Sequence, residues 1–395
     1  MNYILFDDQS WETLLPLTFT RPVSEIRVGI LTIKEKWEKQ LGASCFYLTQ
    51  SYLQEKYRLA ITVENVLING SIVPNKELIA EIETLNLNEA LVKGDVLVAV
   101  KLSDNQVEEF RSTNINAFRT KQVQSPFYKI EYPWDIYRLN GLILESDFKL
   151  ITAGRKSANL SRTNRYKNKA NIFIEEGAKV EFSILNASNG YIYIGRNAEI
   201  MDGSIVRGSL ALCHHATIKM GAKIYGPTTI GPHSKVGGEV NNSVVFGYSN
   251  KGHDGFLGNS VLGEWCNIGA DSNNSNLKNN YSEVRIWSYQ KERFISTNSI
   301  FCGLIMADHS KCGINTMFNT GTVVGVSSNI FGSGFLRNFV PSFAWGGASG
   351  FSPFQPEKAF EVAERVMDRR NRVFDDIEKN ILIEIFDRTR KYRKF

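Results

Sequence analysis

Ile194-Gly195-Arg196-Asn197-Ala198-Glu199-Ile200-Met201-Asp202-Gly203-Ser204-Ile205-Val206 opens a run in which an aliphatic residue returns every six positions. The run continues through Leu212, Ile218, Ile224, Ile230 and Val236 without a break. Two residues before most of these aliphatics stands a small side chain, as at Ala198, Ser204, Ala216, Ala222, Thr228 and Ser234. An α-helix repeats at 3.6 residues and a plain strand at 2, so neither accounts for a period of six. One short strand and one corner per hexad does. Three such strands close a triangular coil of roughly 18 residues, and stacked coils make a left-handed parallel β-helix of the hexapeptide-repeat kind. The aliphatic fills the prism, and the small residue fits beside it near the tight corner.

Further along, the register slips by two and returns at Phe256, Leu262 and Ile268. It slips again and resumes with Ile300, Met306, Cys312, Phe318, Val324, Ile330 and Leu336, all expected to point inward. Irregularities in a repeat array are where insertions map, often on the binding face. The first, between Gly237 and Gly255, contains Ser249-Asn250-Lys251-Gly252-His253-Asp254-Gly255. The second, between Gly269 and Ser299, contains Asn273, Asn274, Asn276, Lys278, Asn279 and Asn280. Asparagine-rich loops are often turn chemistry alone. Two of them in neighbouring coils, one carrying a histidine, make a candidate site. His214, His215 and His233 read as surface or corner residues. His309, beside Asp308, is second to His253 as a candidate base, with a structural role favoured. No combination has the spacing of a zinc site, and no metal is expected there.

The composition bounds the rest. A chain of 395 residues with 43% hydrophobic and 22% charged residues fits a globular protein of two domains with appendages. No apolar run is long enough for a membrane span, and Met1–Gln9 lacks a signal-peptide pattern, so a cytoplasmic protein without membrane insertion is expected. The five cysteines lack C-x-x-C spacing and read as reduced core residues. A net charge of +5 suits an anionic small molecule and gives no argument for nucleic acid.

In the N-terminal third, Tyr3–Phe6, Ala60–Ile68 and Val96–Leu102 read as strands, while Ile26–Leu41 and Lys76–Leu85 read as helices. That alternation predicts a Rossmann-like α/β layer with a parallel sheet and a ligand at the carboxyl ends of its strands. The expected division is 1–146 for this domain, 147–169 for a basic linker, 170–340 for the solenoid and 341–395 for a C-terminal arm. The linker carries Arg155, Lys156, Arg162, Arg165, Lys167 and Lys169. In the arm, Trp345 to Gly350 forms a glycine-rich loop. Pro356 suits a first helical turn, two amphipathic helices follow to cap the solenoid's open end, and a basic tail closes the chain.

Two sets of residues carry a family resemblance. Leu14-Leu15-Pro16-Leu17-Thr18-Phe19-Thr20-Arg21-Pro22, with Tyr132-Pro133-Trp134-Asp135, resembles sugar-1-phosphate nucleotidyltransferases. The resemblance makes Pro16, Thr18, Thr20 and Arg21 nucleotide-site candidates. It also shows departures: no glycine between Asp7 and Glu12, Val23 where the family places a lysine, and Asn69 where it places a metal-binding aspartate. Gly252-His253-Asp254-Gly255-Phe256-Leu257-Gly258, Asn267-Ile268-Gly269-Ala270 and Ser275-Asn276-Leu277 resemble the acetyltransferase half of the bifunctional GlmU-type enzymes, whose domain order also matches.

What the resemblance implies is specific. His253 would be the general base, and Asn267 and Asn276 would contact the sugar. Gly269 and Ala270, with Gly313, would lie by the acyl group of acetyl-CoA. The family's sugar-phosphate lysine appears as Asn241, and Lys251 and Lys278 are the residues expected to substitute for it. The implied reaction is acetyl-CoA-dependent N-acylation of an amino-sugar phosphate or nucleotide-linked amino sugar. The rivals are Mg²⁺-dependent nucleotidyl transfer by the first domain and non-catalytic binding of a sugar nucleotide. Flat prism faces and closed symmetry predict a homotrimer.

Overall fold

The computed structural model describes residues 1–110, 112 and 115–395. It divides into two compact units, Met1–Ile26 with Leu31–Tyr132, and Arg27–Ile30 with Pro133–Phe395.

The first unit is an α/β layer around a six-stranded sheet. Its strands run Cys45–Leu48, Asn2–Phe6, Glu64–Asn69, Val96–Ser103, Glu89–Lys93 and Arg119–Gln122 across the sheet. The sheet is mixed, not parallel as expected. Val96–Ser103 lies antiparallel to both its neighbours. The reason is local: only Gly94 and Asp95 separate Lys93 from Val96, and so short a link can join only antiparallel strands. The helix expected from Ile26 starts at Ile33, because Thr32 caps it. The Thr32 side chain accepts from the Glu35 N–H, and the Glu35 carboxylate accepts from the Thr32 N–H. Gly42, at φ 63°, ends it in the left-handed region. The strand expected from Ala60 starts at Glu64.

The second unit is built on the left-handed parallel β-helix. One sheet of nine strands begins at Ile172–Ile174, one of ten begins at Lys179–Val180, and a third face begins at Arg165–Lys167. Their inward side chains stack coil upon coil. On the second face the column reads Val180, Ile200, Ile218, Val236, Lys251, Ile268, Cys312 and Ile330. On the third it reads Leu185, Val206, Ile224, Val240, Leu257, Asn274, Phe318 and Leu336. These columns are one continuous core. Burial of about 0.8 kcal/mol per methylene, repeated at every level, is what stabilises such a stack.

Both irregularities take a form that counting by six does not show. The first is no inserted loop. Eighteen residues separate Ile218 from Val236, but fifteen separate Val236 from Lys251, so the corners have shortened while the strands still stack. Leu257, not Phe256, points inward there; Leu257 is 3% exposed. The second is a true insertion after Asn274, holding an antiparallel hairpin of Arg285–Ser288 and Arg293–Ser296. Ile300 belongs to it and is exposed, so the core resumes at Leu304 and Met306.

A 20-residue helix, Pro133–Thr152, is part of this unit, and residues 146 and 147 fall inside it. Buried Asn140 donates to the Pro227 carbonyl at 3.0 Å and accepts from the Gly29 N–H at 2.7 Å. Buried Asp147 accepts from the Ile30 N–H at 2.7 Å. After it, Arg155 is paired with Glu175 at 2.5 Å, and Arg165–Lys167 already forms a solenoid strand. At the other end the repeat runs on to Ala344–Gly347, which turns back as a hairpin with Gly350–Pro353. The arm helices are Pro356–Asp368 and Asp376–Arg388, and the second is capped by Asp375, whose side chain accepts from Glu378 N–H. The Phe386 ring packs edge-on against Phe343 in the last coil.

Candidate active site

The outward residues of the second face floor a groove. Lys235, Asn250, Asn267 and Lys311 stand in register on successive strands. A cavity of about 700 Å³ lies over them, bounded on one side by Val366, Arg369 and Arg370 at the end of the first arm helix. It is lined by five cations, Lys219, Lys235, Lys311, Arg369 and Arg370, and by no carboxylate. Like charges gathered this way repel. The Lys235 amine is pushed down from the usual lysine value by burial, then by Arg370, Lys219 and Arg369. Lys311 is pushed down to about 8, chiefly by burial, and its amine donates to the His309 carbonyl at 2.8 Å. A multiply charged anion would relieve this field, whereas a neutral ligand would not.

The groove also collects four residues singled out from the sequence: His253, Asn267, Gly269 and Ala270. His253 is exposed at a corner, so its ring is available to a ligand. The floor is closely stacked there. A Cβ on Gly269 would lie 2.4 Å from the Gly313 carbonyl carbon, which explains glycine at that level. Gly269 N–H donates to the Cys312 carbonyl at 3.1 Å, but no hydrogen bond among the described residues engages the Ala270 N–H.

Other expected members lie elsewhere. Lys251 does not reach the groove. It occupies an inward register position, is 2% exposed, and donates from Nζ to the His253 carbonyl at 2.5 Å. Its substrate-contact role is therefore corrected, because its side chain lies inside the prism. Asn241 and Asn276 are at another corner, where Asn276 donates to the Asn259 side chain at 2.7 Å and Asn259 N–H donates to the Asn241 carbonyl at 3.0 Å. Lys278 is in the insertion, donating to the Glu283 carbonyl at 2.7 Å. Gly313 lies under Gly269 and does not line the cavity.

Sequence reasoning missed the aromatic wall. His215, His233, Tyr248, Trp265 and His309 each stand three residues past an inward aliphatic, at φ between 56° and 60°. Their rings stack along the solenoid, with His233–Tyr248 centroids 4.8 Å apart and Tyr248–Trp265 4.2 Å apart. His309 belongs to this ladder, which gives it the structural role favoured for it. The Arg372 guanidinium donates to the Tyr248 hydroxyl at 2.6 Å and Arg370 to the Asn250 side chain at 3.4 Å, tying the arm to the groove edge.

The first unit has its own cavity, about 730 Å³, lined by Asp8, Asn69, Asp95, Lys129 and Glu131 among others. It opens where Asn2–Phe6 and Glu64–Asn69 end, as expected for strand carboxyl ends. Asp8 is paired with Lys129 at 3.1 Å and accepts from Asn69 at 2.9 Å; the Lys129 ammonium holds its carboxyl below the usual value against the effect of burial. Asn69 also donates to the Leu97 carbonyl and accepts from Ser71. Pro16, Thr18, Thr20 and Arg21 are buried and do not line this cavity; Thr18 donates to the Trp11 carbonyl at 2.6 Å. Among the described residues no group of three His, Cys, Asp or Glu side chains could hold a metal.

Residues 3–156 match the family model described as sugar nucleotidyl transferase. Over 87 residues, 22% of this chain, the sequence is 31% identical to the bifunctional protein GlmU of Methanocaldococcus jannaschii. The chain is GlmU-like. It spans 21% of that relative's length. Among solved structures, the Francisella novicida UDP-N-acetylglucosamine acyltransferase aligns with a TM-score of 0.31 at 14% identity, covering 56% of this chain and 90% of that one. AntD, an N-acyltransferase from Bacillus cereus solved with dTDP and 3-hydroxybutyryl-CoA, aligns with a TM-score of 0.23 at 14% identity, covering 53% and 91%. No helix of the described residues is long and apolar enough to cross a membrane.

Proposed function

We propose that this chain is a transferase that N-acylates an amino sugar carrying phosphate or nucleotide, with acetyl-CoA as donor and the second-face groove as active site. One observation carries the reading: a single cavity brings His253, Asn267 and the Gly269–Ala270 pair together with five cations and no carboxylate. Coenzyme A and a sugar phosphate are both polyanions, so either suits that field.

In the mechanism we infer, His253 takes a proton from the substrate ammonium, a task suited to an imidazole whose ordinary pKa is about 6.5. The freed nitrogen lone pair attacks the thioester carbonyl carbon, and the carbonyl oxygen becomes an oxyanion. The Ala270 N–H, which has no bond within the described chain, is the donor we assign to it. Collapse of the intermediate breaks the C–S bond, and the thiolate leaves with the proton returned by the imidazolium. Asn267 orients the sugar from the groove floor. The neighbouring GlmU-like relative and the acyltransferase structures were named on their own evidence; for this chain the donor and acceptor are our assignment.

The test is thiol release from acetyl-CoA in the presence of a panel of amino-sugar phosphates and nucleotide-linked amino sugars. Turnover with at least one acceptor is expected, and none with any would overturn the reading. Apolar residues on the outer prism surface, Phe182, Ile184 and Ile205, support a homotrimer in which prisms bury these faces together. Sedimentation showing a fully active monomer would contradict it. Five free, buried cysteines fit a reducing compartment, and we place the protein in the cytoplasm.

A second reading rests on the cavity of the first unit: nucleotidyl transfer from a nucleoside triphosphate to a sugar 1-phosphate. We rank it lower. Asp8 is committed to Lys129 and Asn69, and Asn69 is fully hydrogen-bonded, so this donor set does not fit a Mg²⁺ ion and we derive no step through one. Pyrophosphate release from any triphosphate and sugar 1-phosphate pair would promote it.

A further inference from the structure

The second-face column holds one residue that its position does not predict. Val236 lies one coil below and Ile268 one coil above, and between them stands Lys251, 2% exposed, its amine inside the prism. Burying an ammonium is unfavourable by several kcal/mol unless it is well paired. An aliphatic at this level would continue the core, so packing gives no reason for a lysine here. What distinguishes it is its partner. Nζ donates to the His253 carbonyl at 2.5 Å, reaching from inside the prism to the backbone of the corner that carries the exposed imidazole. From below, the same corner rests on Gly238, where an added Cβ would lie 2.8 Å from Asp254 Cα and 2.9 Å from the His253 carbonyl oxygen. The corner is pressed from one side and tethered from the other.

We propose that Lys251 is a positioning residue for acyl transfer, holding the His253 carbonyl so that the imidazole is presented to the groove. The role rests on His253 acting as the base. It explains a buried cation next to a contracted corner: the fifteen-residue coil from Val236 to Lys251 leaves little backbone to fix the corner's shape, and the amine supplies the missing constraint. Without the tether the corner keeps its chain path and loses its single orientation, and small displacements of a reacting group can reduce rate by up to about 100-fold.

Lys251→Met removes the amine and keeps a long apolar side chain in the column. The expected protein melts no lower than wild type. Amide exchange in the segment 252–255 becomes about tenfold faster while the flanking strands are unchanged. The kcat for acetyl transfer falls roughly 10–100-fold with the KM for acetyl-CoA unchanged, and adding Lys251→Met to His253→Ala costs nothing further. Should Met not be accommodated, Lys251→Ile, the side chain of the next coil, serves the same test. Unchanged exchange at 252–255, or an equal rate loss in the wild-type and His253→Ala backgrounds, overturns the proposal. If His253→Ala keeps the full rate, the base assignment fails instead, and the exchange measurement still decides whether Lys251 holds the corner.

Discussion

The coils from Ile194 to Val236 and those from Val236 to Cys312 belong to one prism and share one strand pairing, yet they differ in what they hold. The first set repeats with eighteen residues per coil and an all-aliphatic interior. The second shortens its corners, admits Lys251 and Asn274 to the interior, and accepts a hairpin insertion. The groove with His253 lies over the second set. A repeat stabilised by neighbour-on-neighbour packing tolerates local departures as long as the strands above and below still pair. In this chain the chemistry sits where the repeat has been altered.

That contrast can be broken by substitution. His253→Ala lies in the altered set and should reduce kcat by about 10²–10⁴-fold without changing the melting temperature, as measured by thiol release and calorimetry. Ile218→Ala lies in the regular set and should do the reverse: about 2–5 kcal/mol of stability lost in denaturant unfolding, with kcat unchanged in whatever remains folded. If Ile218→Ala impairs catalysis in the folded protein as strongly as His253→Ala, the division between scaffold and site is wrong.

A smaller effect is expected from the field of the groove. Arg369→Ala with Arg370→Ala should weaken acetyl-CoA binding roughly 10–100-fold, as charge-assisted hydrogen bonds do, and the loss should shrink as salt is raised. Calorimetric titration at two ionic strengths measures both.

The smallest expected effect is on pH dependence. Burial, and then the neighbours His214, His215, Arg372 and Arg370, push His233 down to about 4. Its unfolded value is near 6.5, so the unfolded chain binds the extra proton first as pH falls. Its contribution is present above about 6.5 and is lost as pH falls toward 4. His233→Asn keeps a residue that tolerates the left-handed corner and should flatten the decline in melting temperature between pH 6.5 and 4.5. An unchanged slope would show that the ladder does not carry this proton linkage.

How far the sequence goes can be read from particular residues. Ile194 to Val236 declare the solenoid because every inward position there is apolar. Thr32 with Glu35 declare a helix start that the hydrophobic spacing of Ile26–Leu41 obscured. Lys251 was invisible as an interior residue, since a search for buried positions by hydrophobicity passes over a lysine, and it set the apparent register slip at Phe256. The ladder was detectable in principle: the third residue past each inward aliphatic reads Asn197, His215, His233, Tyr248, Trp265, His309, a sequence of side chains that tolerate or brace a left-handed corner. The arm's approach to the groove was not, because nothing in Arg369 and Arg370 specifies which face of the prism they meet.

Titration of the full-length protein with acetyl-CoA, comparing wild type with Lys235→Ala and Arg370→Ala, tests the central claim most directly. Saturable binding by wild type, weakened in both variants while His253→Ala binds as well as wild type, is the predicted result. Absence of binding at millimolar acetyl-CoA, or binding untouched by both groove substitutions, would contradict the assignment of this groove as the acyl-donor site.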